Sequence, residues 1–571
     1  MRMLIPLISV AVAVAPMSAL AQGSLSPPGA PAPTMKTLAQ MEPRTAITNL
    51  PYNIYGSGSY YLTGNLTGLA GSNGITIATS EVTVDLNGYG LIGGAGTLDG
   101  IVVQGTRTDI VIKNGALRSW GGSGLEARPV VNGRFTGLQA SYNTVNGIAV
   151  GNACIVSECG AYYNTANGIV AYDTAVIEGN TVQNNQAHGI VVSNSCVIRN
   201  NAVRQNSNNG ITVDNDCLVT GNVCDHNGNG PAIGSGIYAV GDRNRIEGNQ
   251  FNLNDTGLSV EGTNNYLAAN TALHNGNNYS ISRPDNSINL LLCELPQSLD
   301  WPCKVTLAGS LISGGFELDG ITINSDNVTI DLNGFSLIGA GGWNGIAETM
   351  SFKNIAIRNG IICNWTQWGI KLELSENVQV IGVQASSNGY DGIRVGPGSL
   401  VKDCIANDST YEEGINVGDG STVIDCVASF NEETAFNLGA GCTISGCTAY
   451  HNGGGGIGVG SGSLIERCSS SHNGTSGFSV EDGSTVSGCN SESNWFGISV
   501  YGSRNRIDNN HVSQGGTGIS VTSTNNLIIR NSVTACTSNY SIVNGNATGI
   551  LVNVTSGGAI SNSNPWVNFV F

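Results

Sequence analysis

The feature that most constrains this chain is a repeat. Glycine–aliphatic pairs recur in "NGIAV", "NGIVA", "HGIVV" and "NGITV", with their glycines at Gly147, Gly168, Gly189 and Gly210, 21 residues apart. "SGIYA" follows an insertion at Gly236, and "TGLSV" at Gly257 is again 21 residues on. An asparagine column runs in step at Asn143, Asn164, Asn185, Asn206 and Asn227. Each period holds short β-branched runs, such as "GIVV" and "CVIRN", separated by Gly and Asn turns, and no long stretch has helical periodicity. Leucine-rich repeats share the length but need Leu-x-x-Leu-x-Leu, which is missing, as is the calcium-binding Gly-Gly-x-Gly-x-Asp nonapeptide. What remains is an all-β parallel β-helix, a solenoid of about 21-residue coils stacked about 4.8 Å apart. A lone coil cannot bury its apolar face, whereas a stack builds a continuous core. Stacked amides that hydrogen-bond from coil to coil explain the asparagine ladder, and asparagine tolerates left-handed turns.

Within this frame His188, in "NNQAHGIVV", occupies the slot of Asn146, Asn167 and Asn209. It reads as a polar turn filler rather than a catalytic group. The Asn-Thr-Asp and Asp-Asp signatures that accompany a His-Gly pair in polygalacturonases are not found. His226, His274, His451 and His472 share another slot, immediately before the ladder asparagine. A solvated turn face is expected there, with metal binding as the alternative.

The second half of the chain repeats the first. "GITIATSEVTVDLNGYGLIG" matches "GITINSDNVTIDLNGFSLIG", "RNRIEGN" matches "RNRIDNN", and "NNYSI" matches "SNYSI". The offset is 358 − 113 = 245 residues at Lys113 and Arg358, and 538 − 277 = 261 at Asn277 and Ser538, so the second copy holds roughly one extra coil. Its glycine slots fall at Gly392, Gly414, Ala435, Gly456, Gly477, Gly497 and Gly518. The repeat breaks at "SRPDNSINLLLCELPQSLDWPC", which places a first β-helix unit at 44–285 and a second at 286–571. Residues 1–21 read as a secretory signal peptide: Arg2, an apolar run and a small-residue site at Ala19-Leu20-Ala21. A membrane anchor is the alternative, disfavoured by Pro6 and Pro16. Residues 22–43 read as a Pro-rich spacer. No later stretch is apolar enough to span a bilayer. The expected location is secreted, periplasmic or cell-surface.

The formal net charge of −17 argues against a nucleic-acid partner, which wants a basic face. It also disfavours a polyanionic glycan unless a local basic patch or bound cation offsets the field. Glycine, 80 of 571 residues, is about twice its usual share of roughly 7%, in keeping with a turn-dense β architecture.

The stretches "PPGAPAPTMKTLAQMEPRTAITNLPYNI", "GSYYLTGNLTG", "VTVDLNGYGLIG" and "SNPWVNF" resemble exported bacterial right-handed parallel β-helix repeat proteins of the planctomycete type. The resemblance covers most of the mature chain. It implies right-handed coiling and a pectate-lyase-like (pectin lyase) superfamily fold, and it brings neither an activity nor catalytic residues.

There are 15 cysteines. Cys404, Cys426, Cys447, Cys468 and Cys489 recur once per coil, in a column that elsewhere holds Cys159, Asn180, Asn201 and Asn222. A second column holds Cys154, Cys196, Cys217 and Cys442. Cβ bonds of stacked neighbours run parallel, so buried thiols are expected rather than disulfides. Cys293 and Cys303, flanking the break, are the best disulfide candidates in an exported protein. Without a Cys-x-x-Cys, a zinc site is not expected.

Two surface constellations carry candidate chemistry. In "VTVDLNG" the alternation turns Val82, Val84 and Leu86 inward and Asp85 outward, beside Lys113 of the next coil; Asp331 and Arg358 repeat the pair. A basic cluster of Lys113, Arg118, Arg128 and Arg134 surrounds Trp120. Lyases acting on uronates need a base and a cation that neutralises the carboxylate, and an indole offers a stacking face. Trp365 is the corresponding aromatic of the second copy. There "GYDGI", "TYEEGI" and "NEETAF" put Asp391, Glu412, Glu413, Glu432 and Glu433 near one turn over three coils, with Tyr390 and Tyr411. Crowded carboxylates titrate high or take a divalent cation such as Ca2+ at Asp391, Glu412, Glu413 and Glu433, and a carboxyl pair hydrolyses glycosidic bonds. An exposed ion pair, a solvated basic patch and an exposed acidic edge are the structural alternatives. The candidate catalytic groups are Lys113, Arg118, Arg134, Glu412 and Glu433; the candidate substrate-binding groups are Trp120, Arg128, Trp365, Tyr390 and Tyr411. The functional expectation is an exported protein that binds a polysaccharide or cell-surface glycan and acts on it by elimination or hydrolysis. The alternative is a non-catalytic surface or matrix β-helix.

Overall fold

The computed structural model describes residues 43–230, 234–313, 315–555, 560 and 562–571. The signal-peptide reading, and all of the spacer except Pro43, lie outside the described residues. Among those described there is no helix. The short β-branched runs become strands, most of them three residues long, and every pairing is parallel to the equivalent strand one coil on.

A regular coil shows the construction. Ile148–Val150 lies on a first face, Ile155–Ser157 on a second and Gly160–Tyr162 on a third. Each pairs with its counterpart 21 residues later, Ile148 with Ile169, Val156 with Ile177 and Ala161 with Val182. Alternate side chains point inward, so the inward column of each face is a run of buried aliphatics such as Ile169, Ile190 and Ile211.

Three corners turn the chain, and each is built the same way. One residue takes a left-handed conformation, as Ala153, Glu158 and Tyr163 do at φ 54°, 55° and 53°. The next residue turns inward and joins a ladder. The left-handed position therefore precedes the asparagine and is not the asparagine itself, which corrects the expectation from its turn propensity. The buried amide instead satisfies backbone groups. Asn164 Nδ2 donates to Asn185 Oδ1 at 2.9 Å and to the Ala140 carbonyl at 3.1 Å, and Asn185 Oδ1 also accepts the Asn164 N–H. This chain of amides continues from Asn143 through Asn164, Asn185, Asn206, Asn227 and Asn254 to Asn275. A second ladder joins Asn180, Asn201, Asn222, Asn249 and Asn270.

The two sequence copies meet end to end. On the second face Ser287–Leu292 pairs backward with Tyr266–Leu273 and forward with Cys303–Leu307, so that sheet crosses the junction without a gap. The first face is divided into sheets of 11 and 12 strands, parting between Asn277–Ile281 and Gln297–Leu299, which accounts for the extra coil of the second copy. Residues 46–571 form one unit.

All 15 cysteines are free thiols. Twelve are buried, as expected, and they do more than fill space: the Cys426 N–H donates to Cys447 Sγ at 3.4 Å, so the thiol takes the place of the ladder amide. The expected Cys293–Cys303 disulfide is not formed. The register pairs Asn289 with Lys304, which sets Cys303 beside Ile288. Cys293 is five residues further along the strand, roughly 16 Å away. Bridged Cα atoms lie within about 7 Å.

Candidate functional site

The basic constellation does not assemble. Trp120 is fully buried and Trp365 is 2% exposed, so neither presents a face to a ligand. Each sits inward in the slot one coil before a corner asparagine: the Trp120 N–H donates to Asn143 Oδ1 and that of Trp365 to Asn388 Oδ1. Each indole N–H is satisfied by a core carbonyl, of Leu91 and Leu337 respectively. Glycines make room for the rings. A Cβ on Gly68 or Gly74 would lie 2.6 or 2.7 Å from the Trp120 ring, and one on Gly320 or Gly342 would meet Trp365 as closely.

The four cations are spread around the coil. Lys113 and Arg134 share the second face, where Arg134 pairs with Val111, two residues before Lys113. Arg118 lies past the left-handed corner residue Asn114, on the third face. Arg128 follows the first-face strand Leu125–Ala127 and is bonded to Glu126 at 2.7 Å. Lys113 pairs with Asp85 at 3.6 Å, in the register expected. Arg358 is in register with Asp331 but extends to Gln379 Oε1 instead.

His188 is half-buried, and burial lowers its imidazole pKa from the ordinary value. Its backbone N–H donates to Asn167 Oδ1, extending the Asn146–Asn167 column. Four of the other five histidines, His226, His274, His451 and His472, take the left-handed corner position, with φ between 53° and 58°, while His511 begins the strand His511–Ser513. His451 and His472 stack with ring centroids 6.2 Å apart, beside Tyr450.

The acidic turn of the second half does assemble. It lies where the chain passes from the third corner onto the first face, in three successive coils. Between the inward corner residue and the glycine slot stand three residues after Asn388, four after Ser409 and three after Asn431. The extra residue in the middle coil places both Glu412 and Glu413 against Asp391. Carboxylate oxygens of Asp391, Glu412 and Glu413 all lie within 4.8 Å of one another. Asp391 is fully buried, not part of an exposed edge. Its Oδ1 accepts the Glu413 N–H at 2.9 Å, and its Oδ2 lies 3.4 Å from Arg394 Nη1. Burial, then the adjoining Glu413 carboxyl, push Asp391 up to about 9, so it holds a proton at neutral pH. The bond from the Glu413 N–H offsets only part of this, and Arg394 is partly exposed and already engaged by Glu373 at 2.7 Å. Glu413 Oε1 accepts from Asn437 Nδ2, while Glu412 Oε2 is covered and has no hydrogen-bond partner, with Arg394 Nη1 3.6 Å away. Glu432 and Glu433 are exposed, and Glu433 reaches this group only through its backbone N–H, on the Glu412 carbonyl. The expected four-residue cation set is thus reduced to three.

An aromatic row flanks the carboxyls. Trp368 and Tyr390 have ring centroids 4.6 Å apart, and Tyr390 and Tyr411 6.1 Å. Tyr411 is 64% exposed. Lys371 Nζ lies 4.4 Å from the Trp368 ring centroid, and Lys371 is the strand partner of Arg394. The row runs beside the outward strand column Lys371, Arg394, Asn416 and Asn437. From Asn437 a groove of about 540 Å³ runs along the first face past Gly455 and Gly458 to Tyr501. Sequence reasoning singled out Tyr390 and Tyr411 but missed Trp368, Lys371, Glu373 and Arg394. The signal for Trp368 was present: it precedes Tyr390 by 22 residues and Tyr411 by 43, which is the column spacing.

The chain belongs to the family described as the right-handed beta helix region, whose model matches residues 69–223, 173–292 and 435–568. No curated protein sequence matches significantly. Among solved structures, the Dettilon tailspike protein is 11% identical with a TM-score of 0.33, over 55% of this chain and 62% of the tailspike. The Azotobacter vinelandii mannuronan C-5 epimerase AlgE6 A-module is 11% identical with a TM-score of 0.23, over 84% of this chain and 91% of that one. Pectate lyase Pel9A is 14% identical with a TM-score of 0.24, over 51% and 70%. Similarity at this level carries no information on activity.

Proposed function

We propose that this protein is an exported β-helix protein that binds a polysaccharide along the edge formed by Trp368, Tyr390 and Tyr411 and hydrolyses it with the adjoining carboxyl group. The observation that carries the reading is the coincidence of a stepped aromatic row with a proton-holding carboxyl and two further carboxylates. Aromatic faces stack on the apolar faces of sugar rings. Glu412 and Glu413 are the groups within reach of a bound chain. Asp391, being covered, is a positioning residue that shares a proton with Glu413. Carboxyl groups about 5 Å apart suit hydrolysis through a covalent intermediate. Elimination is less well supported, because Lys371 and Arg394 are tied to Glu373 at 3.8 and 2.7 Å. The test is incubation with neutral glycans and uronate polymers, scored for new reducing ends and for unsaturated ends absorbing in the ultraviolet. New reducing ends without unsaturation support hydrolysis. Binding without products leaves a glycan-binding matrix or surface protein.

A second reading of the same carboxyls is a divalent cation such as Ca2+, favoured by the covered Glu412 oxygen that accepts no hydrogen bond and by the all-oxygen donor set. Calorimetric titration with calcium decides it: saturable binding lost in Glu412→Gln supports the cation.

A further inference from the structure

A second cavity lies at the opposite end of this half, on the second face. It measures about 360 Å³. Arg506, Leu527 and Ala547 form one outward column across three coils and make its floor. Trp566, 48% exposed, stands over it just before the last strand, Asn568–Val570. Ile550 completes the apolar lining. Gly549 must lack a side chain here, since a Cβ would lie 1.7 Å from the Trp566 carbonyl oxygen.

The charge at this end is unbalanced. Asp508, 3% exposed, receives two guanidiniums: Arg506 at 2.6 Å, and Arg530 in a bidentate contact through Nε at 2.7 Å and Nη2. Two cations on one carboxylate leave +2 − 1 = +1. Arg530 also lies 5.5 Å from the Trp566 ring centroid, which fixes the indole against the charged cluster. Arg506 spends Nε and Nη2 on Asp508, and among the described residues its Nη1 has no protein partner. A buried anion held by two arginines keeps them in place, because releasing either would leave Asp508 less compensated. The site is therefore preorganised: a fixed cationic edge, an indole face and an apolar floor. A cavity of about 150 Å³ accommodates benzene, so this one has room for a six-membered ring with a substituent.

We propose that this cavity binds a carboxylate carried on a ring, the ring against Trp566 and the carboxylate on the free Nη1 edge of Arg506. A carboxylate meets an arginine edge in a charge-assisted pair, whereas its uncharged ester does not. The chemistry is met by a uronate sugar and by an aromatic acid, and the experiment separates them. The site is independent of the carboxyl edge at Asp391.

The full chain is titrated by calorimetry with trigalacturonate, with benzoate, and with the methyl ester of each. Saturable binding of either acid, at least tenfold weaker for its ester and for Arg506→Gln, is expected, and which acid binds identifies the source. Trp566→Leu, which leaves the Arg506–Asp508–Arg530 cluster intact, should weaken binding similarly and carries the test if Arg506→Gln fails to fold. Tyr390→Ala with Tyr411→Ala should leave this binding unchanged. Failure of both acids to bind overturns the proposal, as does equal binding of acid and ester or equal binding by the Trp566 variant. Trigalacturonate binding lost with the two tyrosines but kept in Arg506→Gln overturns it too, and leaves the proposed glycan edge standing.

Discussion

Replacing Asn185 with leucine probes one interior link of the ladder. The amide makes four contacts: Nδ2 donates to Asn206 Oδ1 at 2.9 Å and to the Ala161 carbonyl at 3.1 Å, and Oδ1 accepts Asn164 Nδ2 at 2.9 Å and the Asn164 N–H at 3.1 Å. Leucine removes all four. Asn164 Nδ2 keeps the Ala140 carbonyl, and Asn206 Oδ1 keeps the backbone N–H of residue 185. The buried Asn164 N–H keeps no partner, at a cost of about 1–3 kcal/mol, and three further bonds are lost at about 0.5–1.5 kcal/mol each. Burial of an added apolar side chain recovers about 1.5–3 kcal/mol. At the middle of each range the net loss is about 3 kcal/mol. Because a solenoid opens locally, the readout is amide exchange by mass spectrometry over residues 160–210 rather than a single global midpoint. A loss of that size corresponds to exchange about a hundredfold faster. Asn185→Ser should cost less, since a hydroxyl still accepts the preceding N–H, as Ser421 Oγ accepts that of Ser399 at 3.0 Å. Unchanged exchange in the leucine variant, or equal damage from serine, would show that the amide bonds do not hold this part of the stack.

Three other outcomes follow from the geometry. Asp391, raised to about 9 in the folded state, binds a proton that the unfolded chain releases near pH 4, so its contribution to stability is full below pH 4 and is lost as pH rises toward 9; Asp391→Asn should flatten the decline in stability between pH 4 and 9, and parallel pH profiles would contradict this. Gly100→Ala should destabilise the first half, because its Cβ would sit 2.4 Å from the Gly124 carbonyl oxygen and 2.9 Å from the Trp120 indole nitrogen; a melting temperature equal to wild type would count against the packing described. Thiol titration should find all 15 cysteines reactive after denaturation without reductant, and only the half-buried Cys293, Cys363 and Cys536 reacting quickly in the native protein; a disulfide-linked peptide in a digest would contradict it.

The coil architecture was legible because its signal is a fixed step, and each stacked residue meets its own equivalent at that step. The extra coil of the second copy was legible for the same reason. The surface was less so. Lys113, Arg118, Arg128 and Arg134 fall within one coil's length of sequence, which is one full circuit, so closeness along the chain distributes them over three faces. Neighbours on a solenoid surface are residues one step apart, and the acidic turn satisfied that condition while the basic cluster did not. Trp120 and Trp365 were misread because residue type does not give direction: both replace a ladder asparagine and point inward. Trp368, three residues after Trp365, has no counterpart in the Trp120–Trp365 match between copies and shows only in the column of Tyr390 and Tyr411. The proton held by Asp391 depends on one inserted residue, visible as a step of 22 instead of 21, and on burial that the sequence does not state.

Whether the aromatic edge holds a polysaccharide is decided by comparing wild type with the triple variant Trp368→Ala, Tyr390→Ala, Tyr411→Ala over a panel of neutral and uronate polysaccharides in affinity electrophoresis. Stacking is worth about 0.5–1.5 kcal/mol per ring, so the variant should lose at least about tenfold in affinity for whichever polymer retards the wild type while keeping its β-sheet circular dichroism. Retardation of the folded variant equal to wild type, or no retardation of wild type by any polymer, would contradict the account.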